Sequence, residues 1–314
     1  MRIRLISAVA VLAVFFGCSS GGDADNKGNN DEPSHTSTST RPNENAAADN
    51  GVAAELSAVI KWCLNPFAKT VQTSLRDYMY VTKGAKTFPE KPVRGPTVNK
   101  LWADPEKCAT AAKSIASTTP KLPGLEAAAS KYARAVKQLA LKIESARAYY
   151  SQKDYKDDKF AKAKLMHGPL MTATNDYAAA RRSLNQAVTG VQVKLEESKL
   201  AKLKNDPARK LDYLLLDSMI AGKNLLANAR SHATKQSNNT SLSNNAKRLV
   251  SNASSLRTHL KSNPQKAIQA ARFRRFLSSV DQLALAGKEL ARASGTPKQV
   301  VASFNNMVRS YNSL

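Results

Sequence analysis

Two long segments with a heptad repeat of apolar residues flank a short polar stretch, and this pattern most constrains the fold. In the first segment, apolar or alanine side chains recur in steps of four and three from Leu125 to Tyr150. The second segment repeats the pattern from Ala163 to Val191. Such spacing places the apolar side chains on one face of an α-helix. The two segments, joined by a polar corner, therefore predict an antiparallel helical hairpin.

The rest of the chain carries further helix signals and lacks the alternation that is typical of strands. Pairs of a capping residue and a proline, which often open a helix, occur at Asp104-Pro105, Asp206-Pro207, Asn263-Pro264 and Thr296-Pro297. Pro66 is expected to bend or interrupt a first helix, and Gly168-Pro169 to kink the second helix of the hairpin. We predict an all-α protein, an elongated helical bundle with seven or eight helices and a possible subdomain break near residue 206.

The N-terminus has the anatomy of an export signal. Arg2 and Arg4 precede an apolar run that is too short to span a bilayer. The run ends at Gly17-Cys18 and is followed directly by a polar stretch. This arrangement resembles the bacterial lipoprotein signal, in which the cysteine is lipidated and becomes the mature N-terminus. The alternative, an ordinary secretory signal, lacks a cleavage site of the small-x-small type nearby.

This signal divides the chain into three parts. Residues 1–17 are expected to be a signal peptide, and residues 18–50, which are poor in apolar side chains, a disordered tether. Residues 51–314 are expected to form the helical bundle domain. The lipid on Cys18 would hold the protein at a membrane of the cell envelope. Ser19 after the cysteine implies, by resemblance to Gram-negative lipoproteins, the outer membrane, facing the periplasm or the cell surface.

The chain carries a large excess of positive charge. Its formal net charge is +24, and the residues after position 50 hold 44 basic and 18 acidic side chains. Residues 218–280 contain eleven Lys or Arg and no acid. Exposed helices ordinarily mix charge signs, so this segment indicates attraction to anionic lipid headgroups or an anionic cell-wall polymer. Nucleic acid is not expected as a partner, because the export signal removes the chain from it. The candidate contacts are Lys247, Arg248, Arg257, Lys261, Lys266, Arg272, Arg274 and Arg275.

Two cysteines remain once Cys18 is assigned to lipid. Outside the cytoplasm an even pair such as Cys63 and Cys108 usually oxidises to a disulfide. Two buried free thiols are the alternative. A zinc site would need a nearby histidine or third thiol to complete its shell, so neither a metal nor another cofactor is expected.

The polar corner between the heptad segments holds the cluster most suited to binding a ligand. Its candidate residues are Tyr149, Tyr150, Tyr155, Asp157 and Asp158, followed by His167. The rings could stack on a sugar, and the carboxylates could bind a hard cation. Alternatively, the tyrosines close the end of the bundle, one of the two aspartates caps the second helix, and the histidine is buried against a carbonyl. The chain shows no nucleophile elbow, phosphate loop or metal-ligand spacing, so we do not expect an enzyme.

The corner and its flanks also carry a family resemblance. The motifs are Leu122-Pro123-Gly124-Leu125-Glu126, Tyr132-Ala133, Tyr149-Tyr150, Asp154-Tyr155-Lys156-Asp157-Asp158, Phe160-Ala161-Lys162, His167 and Pro169-Leu170. Together they resemble the YiiG-like bacterial lipoproteins, a family built on a domain of unknown function, over about residues 53–314. Cys63 and Cys108 lie where paired cysteines of that family are expected. The resemblance implies an exported, lipid-anchored, mostly helical protein, and it supplies no activity.

Two functional hypotheses follow. The first is a non-enzymatic envelope lipoprotein whose basic helical face contacts an anionic envelope component. The alternative is a protein that binds a small ligand, a sugar or a cation at the corner from Tyr149 to Asp158.

Overall fold

The computed structural model describes residues 44–90, 92, 94–233, 239–263 and 270–314, in which helices are the only regular secondary structure. The expected signal peptide, the lipidation site Cys18 and Lys266 lie outside these residues. No strand occurs in the described ranges, which confirms the predicted all-α class. The α-helices are α1 (Glu44–Val59), α2 (Asn65–Val81), α3 (Pro105–Ser117), α4 (Pro123–Gln152), α5 (Ala161–Lys204), α6 (Lys210–Ala233), α7 (Asn239–Lys261), α8 (Ala270–Ala291) and α9 (Pro297–Asn312).

The helices divide into two compact units. The first ends at Val193 and the second comprises Lys194–Leu314, so α5 contributes residues to both. The chain therefore divides before residue 206, where the sequence pattern placed a possible break. The boundary can lie inside α5 because the hydrogen bonds of a helix are internal to it, so the helix continues unbroken where its packing partners change. The proline near residue 206 marks only the end of that helix.

The helical part of the first unit begins earlier than expected. Helix α1 starts at Glu44, so residues 44–50 are helical and are not part of a disordered tether. This correction has a local cause, because residues 46–48 are three alanines, the strongest helix former.

The interruption expected at Pro66 takes the form of a π-helical turn, Ile60–Leu64, between α1 and α2. Proline has no backbone N–H to donate to the carbonyl four residues before it, and the wider turn accommodates the missing hydrogen bond. The turn buries Cys63 completely. Cys63 forms a disulfide with Cys108 of α3, with 4.7 Å between the Cα atoms. The disulfide expected from the cysteine count is therefore present.

Helices α4 and α5 form the predicted antiparallel hairpin in the first unit. Tyr132, early in α4, contacts Tyr177, with 5.7 Å between the ring centroids. Ser145, late in α4, instead donates a hydrogen bond of 3.8 Å to the sulfur of Met166, early in α5. Positions that increase along α4 thus pair with positions that decrease along α5. Every apolar position of the α4 heptad pattern is buried, and α5 continues through Pro169.

Helices α6 to α9 of the second unit form a four-helix bundle. Helix α6 packs against α7 and α9, and α8 packs against the same two helices. The core between them includes Met219, Leu225, Leu249, Phe276 and Phe304, each at most 3% exposed. The cap predicted at Thr296 is present, because its hydroxyl accepts a hydrogen bond from the backbone N–H of Gln299. Reciprocal bonding by the Gln299 side chain completes a capping box that fixes the start of α9.

Candidate functional site

The corner between α4 and α5 is folded by an irregular backbone. Lys153, which directly follows α4, has a φ of 64°, and Lys159 and Phe160, which precede α5, have φ of 50° and 66°. These left-handed conformations are disfavoured for residues with a side chain. Contacts must therefore hold the corner, and the ring of Phe160 stacks on that of Tyr155 with 5.0 Å between centroids.

Asp158 caps helix α5, in agreement with the structural interpretation of the corner. Its carboxylate accepts hydrogen bonds from the Tyr149 hydroxyl (2.8 Å) and from the backbone N–H of Lys162 (3.1 Å). Burial acts to raise the pKa of Asp158, but these hydrogen bonds outweigh it and hold that pKa below its ordinary value. The neighbouring Asp157 is exposed. The Asp158 carboxylate therefore has a structural role, because its hydrogen bonds hold the corner and the start of α5. The Asp157 carboxylate remains at the surface.

The corner tyrosines face the interior of the first unit. Tyr149 is 1% exposed and Tyr150 is 6% exposed, and their rings meet edge to face at 4.9 Å. Tyr150 also meets Tyr78 of α2 edge to face, at 6.1 Å. Tyr155 is half-buried and lies 6.0 Å from Tyr150. The faces of the two buried rings are used in packing, so they do not form an open platform for a sugar.

His167 is buried at 1% exposure and uses both of its ring nitrogens inside the protein. Nε2 lies 2.9 Å from the carbonyl oxygen of Ala85, and Nδ1 lies 2.7 Å from the hydroxyl of Tyr78. A carbonyl can only accept, so Nε2 carries the hydrogen, and Nδ1 accepts from Tyr78. With both nitrogens occupied, His167 has no free nitrogen for a substrate or a metal ion.

The loop between α2 and α3 covers the corner, which the sequence pattern did not indicate. Arg94 donates hydrogen bonds from Nη1 and Nη2 to the Asp77 carboxylate, at 2.8 and 2.5 Å, and thereby lowers the pKa of Asp77. Earlier in the same loop, the buried ring of Phe88 lies against His167, with 5.7 Å between the ring centroids. The backbone of Gly95 packs closely against the Tyr155 ring. A Cβ added at this position would be only 2.5 Å from the nearest ring atom.

The described residues offer neither a metal cluster nor a membrane-spanning helix. No group of three or more His, Cys, Asp or Glu side chains among them is placed to hold a metal ion. In the same ranges, no helix combines the length and the apolar character needed to cross a bilayer.

The acid-free segment 218–280 obtains ionic partners from the residues at its two borders. Arg248 of α7 binds the carboxylate of Asp217, which is 4% exposed. The side chain of Asn252 donates a further hydrogen bond of 2.7 Å to the same carboxylate. Arg257 pairs with Asp281 of α8. Two of the candidate anionic-surface contacts, Arg248 and Arg257, are therefore engaged within the bundle, with acids that the sequence window excluded by one residue on each side.

The remaining described candidates are exposed, and most of them gather at one end of the second unit. Lys261 lies in the last turn of α7, and Arg272, Arg274 and Arg275 lie in the first two turns of α8. These helices are consecutive and packed together, so the end of one lies beside the start of the other. We call Lys261, Arg272, Arg274 and Arg275 the basic end. The ion pairs found among the described residues give none of them an acidic partner.

Comparison with known proteins gives a family but no activity. A family model described as "Protein of unknown function (DUF3829)" matches residues 56–294. The chain is 28% identical over 167 residues to the uncharacterized protein YiiG of Escherichia coli (strain K12), an alignment that covers 52% of this chain and 47% of that protein. It thus spans about half the length of this curated relative. No solved structure gives a significant match. Because the family model covers most of the chain, the protein belongs to the DUF3829 family of proteins of unknown function.

Proposed function

We propose that this protein is a non-enzymatic envelope protein, anchored by lipid on Cys18, whose second unit presents the basic end to an anionic envelope component. That component is a surface of anionic lipid headgroups or a cell-wall polymer. The anchor and the envelope location rest on the signal anatomy of residues 1–18, and the contact rests on the charge of the second unit.

The charge of the second unit far exceeds what its ion pairs use. Residues 194–314 contain 21 Lys or Arg and 7 Asp or Glu. Arg248 and Arg257 are engaged with acids, whereas the basic end is exposed and lacks acidic partners among the described residues. This grouping of exposed cations is the observation that carries the proposal. Each cation near an anionic membrane contributes about 1 kcal/mol of attraction, so four of them matter even at moderate salt.

Sedimentation with vesicles tests the contact. The mature chain with Cys18→Ser, which cannot be lipidated, is mixed with phosphatidylglycerol vesicles or with neutral phosphatidylcholine vesicles. We expect binding to the anionic vesicles alone, falling steeply as the salt concentration rises. Binding to isolated cell walls without binding to vesicles would assign the contact to the polymer. Absence of binding to both, or binding insensitive to salt, would contradict the proposal.

A matched pair of triple variants locates the contact. Arg272→Gln with Arg274→Gln and Arg275→Gln removes three charges from the basic end. Lys288→Gln with Arg292→Gln and Lys298→Gln removes three charges around the end of α8 and the start of α9, at the opposite end of these helices. We expect the first triple to weaken vesicle binding by about 100-fold and the second by much less. Equal losses of vesicle binding in the two triple variants would show that binding depends on total charge alone, and would contradict a contact at the basic end.

A further inference from the structure

A pocket of about 420 Å³ opens beside the basic end, between α6 and α7. Lys210 and Leu214 contribute from the first two turns of α6. Ser254, Ser255, Thr258, His259 and Ser262 contribute from the last turns of α7 and the residue after it. The spacing of these five positions, in alternating steps of one and three, places them on a single face of the helix. The lining thus combines an ammonium group, an imidazole, four hydroxyls and one leucine side chain, and it includes no carboxylate.

Two of the hydroxyls are free to donate to a ligand. Thr258 and Ser262 already donate to the backbone carbonyls of Ser254 and Thr258, each at 3.2 Å. The hydroxyls of Ser254 and Ser255 are exposed and take no part in the hydrogen bonds found among the described residues. The pocket therefore holds unused hydrogen-bond donors, as an oxygen-rich anion requires.

The ammonium of Lys210 is also available. Its nitrogen lies over the Tyr213 ring at 5.0 Å from the centroid. The nearest acid in sequence, Asp212, is paired with Arg209 at 2.9 Å. Among the described ion pairs, none joins Lys210 to an acid. A cation beside hydroxyl donors, in a site without carboxylates, favours an anionic ligand with several acceptor oxygens.

We propose that this pocket binds a phosphate ester that carries a short polyol, the chemistry of a glycerophosphate group. The phosphate oxygens accept from Lys210, Ser254 and Ser255. The pocket has the size of a small-ligand site, larger than a phosphate ion needs, so it has room for the polyol. This inference rests on the proposed function, because the same group is found in anionic lipid headgroups and in phosphate-containing polymers.

Calorimetric titration of the mature Cys18→Ser chain with glycerol 3-phosphate tests the pocket. Glycerol and inorganic phosphate at matched ionic strength serve as comparison ligands. We expect glycerol 3-phosphate to bind more tightly than either. Removing both free donors with Ser254→Ala and Ser255→Ala, which leaves the net charge unchanged, should weaken it by about tenfold. Alanine is a strong helix former, so α7 should remain folded.

The matched control is Ser251→Ala with Ser278→Ala, two exposed serines outside the pocket lining. We expect this control to bind glycerol 3-phosphate as the parent chain does. Equal affinity of the Ser254/Ser255 variant and the parent, or equal binding of glycerol and glycerol 3-phosphate, would overturn the assignment of the pocket.

Vesicle sedimentation with the same variants separates this inference from the proposed function. Weaker binding of the Ser254/Ser255 variant to phosphatidylglycerol vesicles would identify a lipid headgroup as the source of the ligand. A loss confined to soluble glycerol 3-phosphate would support the pocket with a soluble or polymeric source. Intact vesicle binding without any binding of glycerol 3-phosphate to the parent chain would overturn the pocket and leave the proposed function standing. If the parent chain binds neither glycerol 3-phosphate nor vesicles or cell walls, both the pocket and the proposed function are overturned.

Discussion

The Tyr78 hydroxyl donates a hydrogen bond of 2.7 Å to Nδ1 of His167, which lies 89 residues further along the chain. The other ring nitrogen of His167 donates to the carbonyl of Ala85. One buried imidazole thus joins helix α5 to α2 and to the loop that follows α2. Because this loop covers the corner, the two hydrogen bonds of the imidazole help to hold the loop over the buried rings of Tyr149 and Tyr150.

Substitution of His167 should destabilise the first unit. His167→Ala removes two buried hydrogen bonds and leaves a cavity, so we expect a loss of about 3 kcal/mol in the free energy of unfolding. Tyr78→Phe removes one hydrogen bond with little change in volume and should lower it by about 1 kcal/mol. Urea unfolding followed by tryptophan fluorescence measures both, because the two tryptophans, Trp62 and Trp102, lie in the first unit. An unfolding midpoint equal to that of the parent would show that the imidazole bonds contribute nothing.

Gly95 should not tolerate a side chain. A Cβ at this position would be 2.5 to 2.9 Å from three atoms of the Tyr155 ring, which is itself stacked on Phe160. We expect Gly95→Ala to destabilise the first unit by about 2 kcal/mol, because the ring must move out of its packing. Gly190 is exposed within α5 and has open space around it, so Gly190→Ala should instead be neutral or stabilising, by up to about 1 kcal/mol. Similar effects of the two variants on thermal unfolding would disprove the close packing on Tyr155.

The ion pair between Asp217 and Arg248 should matter more than the pair between Asp281 and Arg257. Asp217 is almost fully buried, and Asp217→Asn leaves the Arg248 guanidinium facing an uncharged group, so we expect a loss of about 2 kcal/mol. In the second pair both side chains are nearly half exposed, and Asp281→Asn should cost less than about 1 kcal/mol. Urea unfolding followed by circular dichroism reports these changes. The tryptophan signal from the first unit should stay constant, and a larger effect of Asp281→Asn would reverse the ranking.

Acid should weaken the first unit through Asp77 and Asp158. Hydrogen bonds from Arg94 lower the pKa of Asp77, and those from Tyr149 and backbone N–H groups lower that of Asp158, below an ordinary value of 3.8. A carboxyl with a lowered folded-state pKa contributes stability that is complete above its ordinary pKa and is lost as the pH falls through the folded pKa. The melting temperature of Asp158→Asn should therefore lie below that of the parent at neutral pH. The difference should shrink as the pH falls below about 4, because the parent then loses the same charge. A difference independent of pH would contradict the capping role of the carboxylate.

The corner shows how far sequence reasoning reaches. The polar stretch, the capping role of an aspartate and a histidine bonded to a carbonyl are all foreseeable, because each follows from local spacing and composition. The contact of Gly95 with Tyr155 and the partner of His167 are not foreseeable. They depend on where the loop after α2 folds back, and no repeat or charge pattern in that loop indicates it.

The acid-free segment illustrates the same limit for charge. Counting residues 218–280 correctly identifies a basic region, but it counts Arg248 and Arg257 as cations without acidic partners. Asp217 and Asp281 pair with them because neighbouring helices of the second unit place residues 24 and 31 positions apart side by side. The surface left for an anionic partner is therefore smaller than the sequence implied.

The sequence by itself determined the helices, the buried face of the hairpin and most helix boundaries, because these depend on periodicity and on caps that act within a few residues. Only the tertiary structure decided which tyrosines are buried, which carbonyl and hydroxyl hold His167, and which cations remain exposed. These features join residues that are far apart in the chain, and their meeting depends on how whole helices pack around a core.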